Sequence, residues 1–299
     1  MSVRSKQQER SGMLFGGLAV ACFSVTLPAT RIGVSHIDPV LFGLGRSMLV
    51  LPLAILTLWW LRIPLPTWAQ VKHLLWVALG AVIVFPWLTA VAMESVSASQ
   101  GGIVVAVLPL FTAVVGAFLA RQRPSIGFWS MMLLGCLLVV WFVWDDSKGG
   151  MGQGDLILLF ASVLCAISYA VGGQLAKQMG GVAVICWALV LAAPVSLLVI
   201  LCLMPEQNYS LPSRAWLSFM YVAIVSQWLA FILWYQGMSL GGVVRVSQVQ
   251  LLQPFLTLCV SAWLLSEVID SEMLWFALAV VLTVTVGRSM SISEAKKPS

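Results

Sequence analysis

The sequence predicts an all-α integral membrane protein with ten transmembrane helices arranged as two inverted five-helix repeats. Three observations carry that prediction. Of the 299 residues, 61% are hydrophobic and 9% charged, against about 25% charged in soluble domains. Apolar runs recur along the whole chain with about 20 residues each, the length a helix needs to cross the hydrocarbon core. The chain also partly matches itself at an offset of 145 residues. A globular core could not absorb this much apolar surface, and isolated strands could not satisfy their backbone in lipid, so the runs are read as helices.

The first span, 12–34, follows Arg4, Lys6 and Arg10 and so resembles a signal peptide at its start. It lacks a clear small-residue cleavage site and more spans follow, which points to a retained helix. HIDP separates it from the second span, 40–61, and RIPLP precedes the third, 73–93. The fourth, 98–120, is divided from the fifth, 125–144, by RQRPS, and DDSKGGMGQG leads to the sixth, 155–176. QMGG, PEQNYSLPS and SLGG then punctuate the spans 181–204, 214–237 and 242–265, before the last at 272–290. These are turn and loop signals, and the gaps are too short for a soluble domain.

Charge sets the expected orientation. With both termini in the cytoplasm, twelve Lys and Arg fall inside and four outside (Arg31, Arg46, Lys148 and Arg214), as the positive-inside rule requires. The net charge of +5 is thus assigned to loops that fix topology rather than to nucleic acid. The acids Asp145, Asp146, Asp155, Glu267, Asp270 and Glu272 fall outside. Six cysteines stand singly in apolar runs, and His36 and His73 lie far apart, so neither a metal site nor any cofactor is expected. No G-x-x-x-x-G-K-[ST] motif is present, which argues against ATP as the energy source. No nucleophile sits with a base, so no catalytic residue is assigned.

At the offset of 145, SQGGIVVAVLPLFTAVVGAFL (99–119) falls within VVRVSQVQLLQPFLTLCVSAWLL (243–265), Pro109 on Pro254 and Thr112 on Thr257. LFGGLAVACFSV (14–25) falls on LFASVLCAISYA (159–170). Apolar helices can match by chance, but a common offset at both ends argues for a true repeat, 12–144 and 155–290. Each half has an odd number of spans, so the halves must lie inverted in the membrane. Inverted repeats build many secondary transporters, with the substrate site near the midplane between them.

The stretch LWYQGMSLGGVVRVSQVQLLQPFLTLCVSAWLLSEVIDSEMLWFALAVVL (233–282) resembles the EamA-like repeat of the drug/metabolite transporter superfamily. Its marks here are Trp234-Tyr235, the turn Ser239 to Gly242, Pro254 and Glu267. The first half repeats the pattern from Ala90 to Gln122 around Pro109, and LFGLGRSMLVL (41–51) looks like the arginine-bearing second helix. Gln122 stands where the second half has Glu267. The resemblance implies a two-repeat carrier of small metabolites in a bacterial inner (plasma) membrane, with its cavity lined by helices one to four and six to nine.

Several polar groups lie deep in apolar spans. In the ninth, Ser247, Gln250, Pro254, Thr257 and Ser261 recur every three or four residues on one face, with Gln253 flanking. Such a stripe either lines a cavity or glues helices together. Pro109 and Pro254 are expected to kink their helices and free backbone carbonyls. The sixth span offers Tyr169 with Ser162 and Gly173, the eighth Gln227 and Trp234, the third Trp87 and Thr89, and the first Ser24 and Thr26. Aromatic walls with a few hydrogen-bonding groups describe a small-molecule pocket. Trp59, Trp60, Trp68, Trp141, Trp144 and Trp216 sit at span ends as interfacial anchors. Arg46 could meet a substrate carboxylate, snorkel to the outer interface or pair with Glu94.

These readings converge on a carrier that moves a small polar metabolite by alternating access, exporting an amino acid or related compound. Its expected partners are the substrate and the lipid bilayer, with no nucleic acid, and it is a monomer or homo-oligomer. An importer of a nucleoside or vitamin and a non-transporting membrane partner are the alternatives. No carboxylate lies near the middle of a span, so proton coupling is expected to be weak or absent.

Overall fold

The structure, a computed structural model, describes residues 3–119, 125–146, 152–203 and 211–292, and every regular element among them is helical. In chain order these are α1 (Val3–Ser24), α2 (Thr26–Val34), α3 (Pro39–Trp60), α4 (Trp68–Val77) and α5 (Phe85–Ala92). They continue with α6 (Ala98–Val105), α7 (Leu108–Leu119), α8 (Ile126–Asp146), α9 (Gln153–Met179) and α10 (Gly181–Leu203). The remainder are α11 (Ser213–Met220), α12 (Phe231–Gly241), α13 (Val243–Val249), α14 (Gln253–Leu265) and α15 (Ser271–Ile292). A π-helical segment, Ala78–Val84, joins α4 to α5, and a second, Tyr221–Ala230, joins α11 to α12. A short 3-10 turn, Gln250–Leu252, joins α13 to α14.

The helices start and stop where backbone chemistry dictates. Asp38 caps α3, accepting from the nitrogens of Val40 and Leu41, with Pro39 in the first turn. Thr67 and Gln70 form a reciprocal capping box at α4. Gly180 and Gly242, at φ of 85° and 83°, turn the chain between α9 and α10 and between α12 and α13, a conformation that glycine adopts without a Cβ penalty.

Among the described residues, seven helical stretches are long and apolar enough to cross a membrane: Gln7–Val34, Pro39–Trp60, Trp68–Ala92, Ala98–Gly116, Gln153–Met179, Gly181–Leu203 and Ser213–Gly241. Trp129–Val139, Gln250–Leu265 and Ser271–Thr283 are shorter apolar helices. The outer surface is correspondingly apolar, with Leu197, Leu198, Leu201, Leu278 and Leu282 exposed. Of the tryptophans read as anchors, Trp59, Trp60, Trp68, Trp141 and Trp216 are exposed near helix ends; the side chain of Trp144 lies outside the described residues, as do Gln122 and most of the RQRPS, DDSKGGMGQG and PEQNYSLPS breaks.

Packing follows the internal repeat. α1 lies along α12, and at the offset of 145 its counterpart α9 lies along α4 and α5. α3 packs on α10 and α8 on α15, each helix against its own counterpart. The offset also carries the first π segment onto residues 223–229, inside the second. Both repeated prolines sit in the first turn of a helix after a break: the turn Ala106–Val107 before Pro109 and the 3-10 turn before Pro254. The expected kinks are therefore helix breaks just upstream of each ring, where the missing N–H leaves the ladder weakest.

Several crossings are closer than side chains would allow. A methyl group built on Gly12 would lie 2.4 Å from the Gly241 nitrogen and 2.9 Å from the Gly237 oxygen, so α1 and α12 touch backbone to backbone, as small residues permit in membranes. Gly12→Val is expected to lower stability by about 1–3 kcal/mol, read as a lower unfolding midpoint of the purified protein in detergent. An unchanged midpoint would mean that these helices do not meet in this way.

Candidate functional site

The irregular stretches of backbone converge on one place. Thr26 follows the break at Val25 between α1 and α2, Phe85 follows the first π segment, and Val105 and Leu108 flank the break before Pro109. Ser226 lies within the second π segment, Phe231 follows it, and Gln253 follows the 3-10 turn. These residues, with Phe23, Leu27, Arg46 and Tyr169, line a single internal cavity between the two halves of the chain. Crevice space among them adds up to about 420 Å3, of which about 20 Å3 admits a water-sized body. Irregular helix inside a membrane persists only where protein or a cavity satisfies the freed backbone, and π segments frequently mark functional sites.

Arg46 enters the cavity from α3 and is 3% exposed. One turn earlier, α3 passes α5 at Gly43, where an added methyl group would lie 2.5 Å from the Trp87 Cα. That approach brings Arg46 inward. It neither snorkels nor pairs with Glu94, which is exposed; its nearest ionisable neighbours are the Cys165 thiol and the Tyr169 phenol. Its Nε is buried without an acceptor. Two other arginines at span ends behave differently: Arg31 donates to the Met93 carbonyl and Arg214 to that of Leu264.

Around Arg46 the walls are aromatic and the polar groups few. Thr26 Oγ1 and Ser226 Oγ share a hydrogen bond of 2.8 Å across the two halves. Gln250 Nε2 donates to Gln253 Oε1 at 3.4 Å. Tyr169 is held edge-on against Phe231 at 5.8 Å and tilted against Trp234 at 5.5 Å, and Phe23 meets Phe231 edge-on at 5.1 Å. Such edge contacts fix ring orientation.

Of the residues singled out from the sequence, Arg46, Tyr169 and Gln253, with Thr26, line this cavity. The others stand behind it. Gln250, Thr257 and Ser261 are buried, Thr257 packs against Gly102 of α6, and the flanking Gln253 lines the cavity. Gln227 Nε2 donates to the Ala81 carbonyl at 3.2 Å, tying one π segment to the other. Trp234 is fully buried behind Tyr169, Ser24 bonds the Ala21 carbonyl, and Trp87 is half-buried beneath Gly43. Sequence reasoning passed over Ser226, Phe23, Phe85 and Phe231. A π segment bonds i to i+5 rather than i to i+4, so Ser226 and Phe231, five apart, share a face that a period of 3.6 assigns to Gln227 and Trp234.

Outside the cavity lining, the halves are also laced together by polar contacts. The four first N–H groups of α6 are all accounted for, two of them by Glu267 from beyond α14. Glu267 accepts from the nitrogens of Ala98 at 2.9 Å and Ser99 at 2.8 Å, and from the Ser99 hydroxyl. Ser97 supplies the other two acceptors, to Gln100 and Gly101. The Gln100 side chain then donates to Asp155 of α9 at 2.9 Å. Asp155, expected in the outer group of acids, is 2% exposed. Among the described residues no cluster of three or more His, Cys, Asp or Glu could hold a metal.

Comparisons with known proteins agree with this architecture. A model of the EamA-like transporter family matches the chain twice, over residues 10–144 and 152–287. The uncharacterized transporter YdeK of Bacillus subtilis (strain 168) is 35% identical over 278 residues, which cover 93% of this chain and 97% of that protein. A solved crystal structure of a protein 17% identical in sequence superposes with a TM-score of 0.70, over 96% of this chain and 100% of the other. At that identity the likeness speaks for the fold alone.

Proposed function

Because the chain belongs to the EamA-like transporter family, we propose that this multi-pass membrane protein is a secondary carrier that exports an amino acid or a related small polar metabolite. It acts without chemical transformation of its cargo. Its ten spans form two inverted five-helix repeats in a bacterial inner membrane, with both termini in the cytoplasm. The odd number of spans per repeat, the shared positions of the π segments and prolines, and the exchange-symmetric packing support that topology.

The observation that carries the reading is the cavity itself. It lies between the two repeats, is lined from both, and is bordered by each helix break and π segment. About 20 Å3 is room for about one water molecule. Taking up an amino acid therefore requires the lining helices to part. Rocking of one repeat against the other would expose Arg46, Tyr169, Gln253, Thr26 and Ser226 to each side in turn.

Counterflow in sealed proteoliposomes holding the purified protein, loaded with amino acids, nucleosides and vitamins, tests the reading. Saturable exchange of amino acids is expected. Gln253→Ala is expected to weaken it about fivefold or more, the equivalent of one lost hydrogen bond of about 1 kcal/mol. Exchange of nucleosides or vitamins alone would replace the amino-acid assignment. Absence of any exchange, with ion gradients added, would favour a non-transporting membrane partner.

A further inference from the structure

We propose that Arg46 is the receptor for a carboxylate on the transported molecule, so that the substrate class is small organic acids, amino acids included, and excludes compounds without an anionic group. This rests on the transport reading above and narrows it. Arg46 is 3% exposed inside the cavity, and its buried Nε has no acceptor in the protein. A structural arginine in an apolar span finds a backbone carbonyl or a carboxylate. Arg31 and Arg214 do so, and Arg46 does not.

The other polar groups fit the same ligand. Gln253 accepts from Gln250 through its oxygen, which leaves its NH2 group to donate. No Asp or Glu lines the cavity. A buried cationic donor beside a free amide donor, with no acidic acceptor, favours an anion over a cation or a neutral amide. The planar guanidinium matches a carboxylate with two parallel hydrogen bonds. Phe23 and Phe231 line the same cavity and offer the remainder of the molecule an aromatic wall, for an apolar chain or, in an amino acid, an ammonium group held by cation–π attraction.

Matched acid and amide pairs decide the matter: L-phenylalanine with L-phenylalaninamide, L-threonine with L-threoninamide, and 3-phenylpropionate with 3-phenylpropionamide. Each is measured by thermal stabilisation of the purified full chain and by exchange in proteoliposomes, in wild type, Arg46→Lys and Arg46→Gln. At least one acid is expected to bind and exchange, with its amide weaker by about tenfold or more. Arg46→Gln is expected to bring that acid down to the level of its amide, and Arg46→Lys to restore part of the preference. If 3-phenylpropionate performs as L-phenylalanine does, the ammonium adds nothing and the class is monocarboxylates; if only the amino acids act, it is amino acids. Either result upholds the carboxylate.

The proposal is overturned if amides or amines match the acids in wild type, if the acid preference survives Arg46→Gln, or if no acid binds at millimolar concentration. Should Arg46→Gln fail to fold, the wild-type contrast between acid and amide decides alone. Acids that stabilise but do not exchange would uphold the site and sink the transport reading. Nucleosides that exchange while acids neither bind nor move would do the reverse.

Discussion

Arg46→Met is expected to make the protein more stable while removing its function. The Arg46 Nε is buried without an acceptor, so the guanidinium carries a desolvation penalty in the fold. Replacing buried charge by an apolar side chain of similar volume stabilises by about 1–4 kcal/mol in favourable cases. The unfolding midpoint in detergent should therefore rise by a few degrees while counterflow of acids falls to background. Most buried substitutions do the opposite, which makes the result diagnostic. A fall in the midpoint comparable to that of Gly12→Val would identify Arg46 as a structural partner and remove the physical ground for its role in binding.

Glu267→Ala should open the molecule at one end. Glu267 completes the N-terminus of α6 across the two repeats through the Ala98 and Ser99 nitrogens and the Ser99 hydroxyl. Loss of a helix cap costs about 0.5–2 kcal/mol, and charge-assisted bonds stand at the upper end of such effects. Since this contact and Gln100–Asp155 both bridge the repeats, weakening it should favour the conformation in which the cavity faces that side. In a cysteine-free background, a cysteine placed at Ser226 should react severalfold faster with a membrane-impermeant maleimide when Glu267→Ala is added. Unchanged labelling together with an unchanged unfolding midpoint would show that the contact is incidental. Ser99→Ala, which removes only the hydroxyl, should have a smaller effect in the same direction. The first repeat carries the uncharged Gln122 at the matching position.

The two experiments address different halves of a transport cycle. Arg46 concerns what the cavity recognises, and Glu267 concerns which side can reach it. A carrier needs both, and the structure separates them: the first lies at the meeting point of the π segments and helix breaks, the second at the helix ends where backbone groups would otherwise lack partners.

The sequence by itself determined the membrane class, the helical content and the presence of two repeats. Lipid leaves a backbone little choice but to bond within its own helix, and that constraint is written in composition and run length. It also exposed Arg46 as an anomaly, because a charge within an apolar run is costly wherever it points. Only the tertiary structure decided which polar groups share the cavity. A period of 3.6 aimed Gln250, Thr257 and Gln227 inward; the cavity is lined by Gln253, Ser226 and Phe231, the last two brought to one face by the π segment. The roles of Asp155 and Glu267 were equally hidden. Their partners lie on helices 55 and 168 residues away, and which distant ends meet is fixed by the packing of the two repeats rather than by any local pattern.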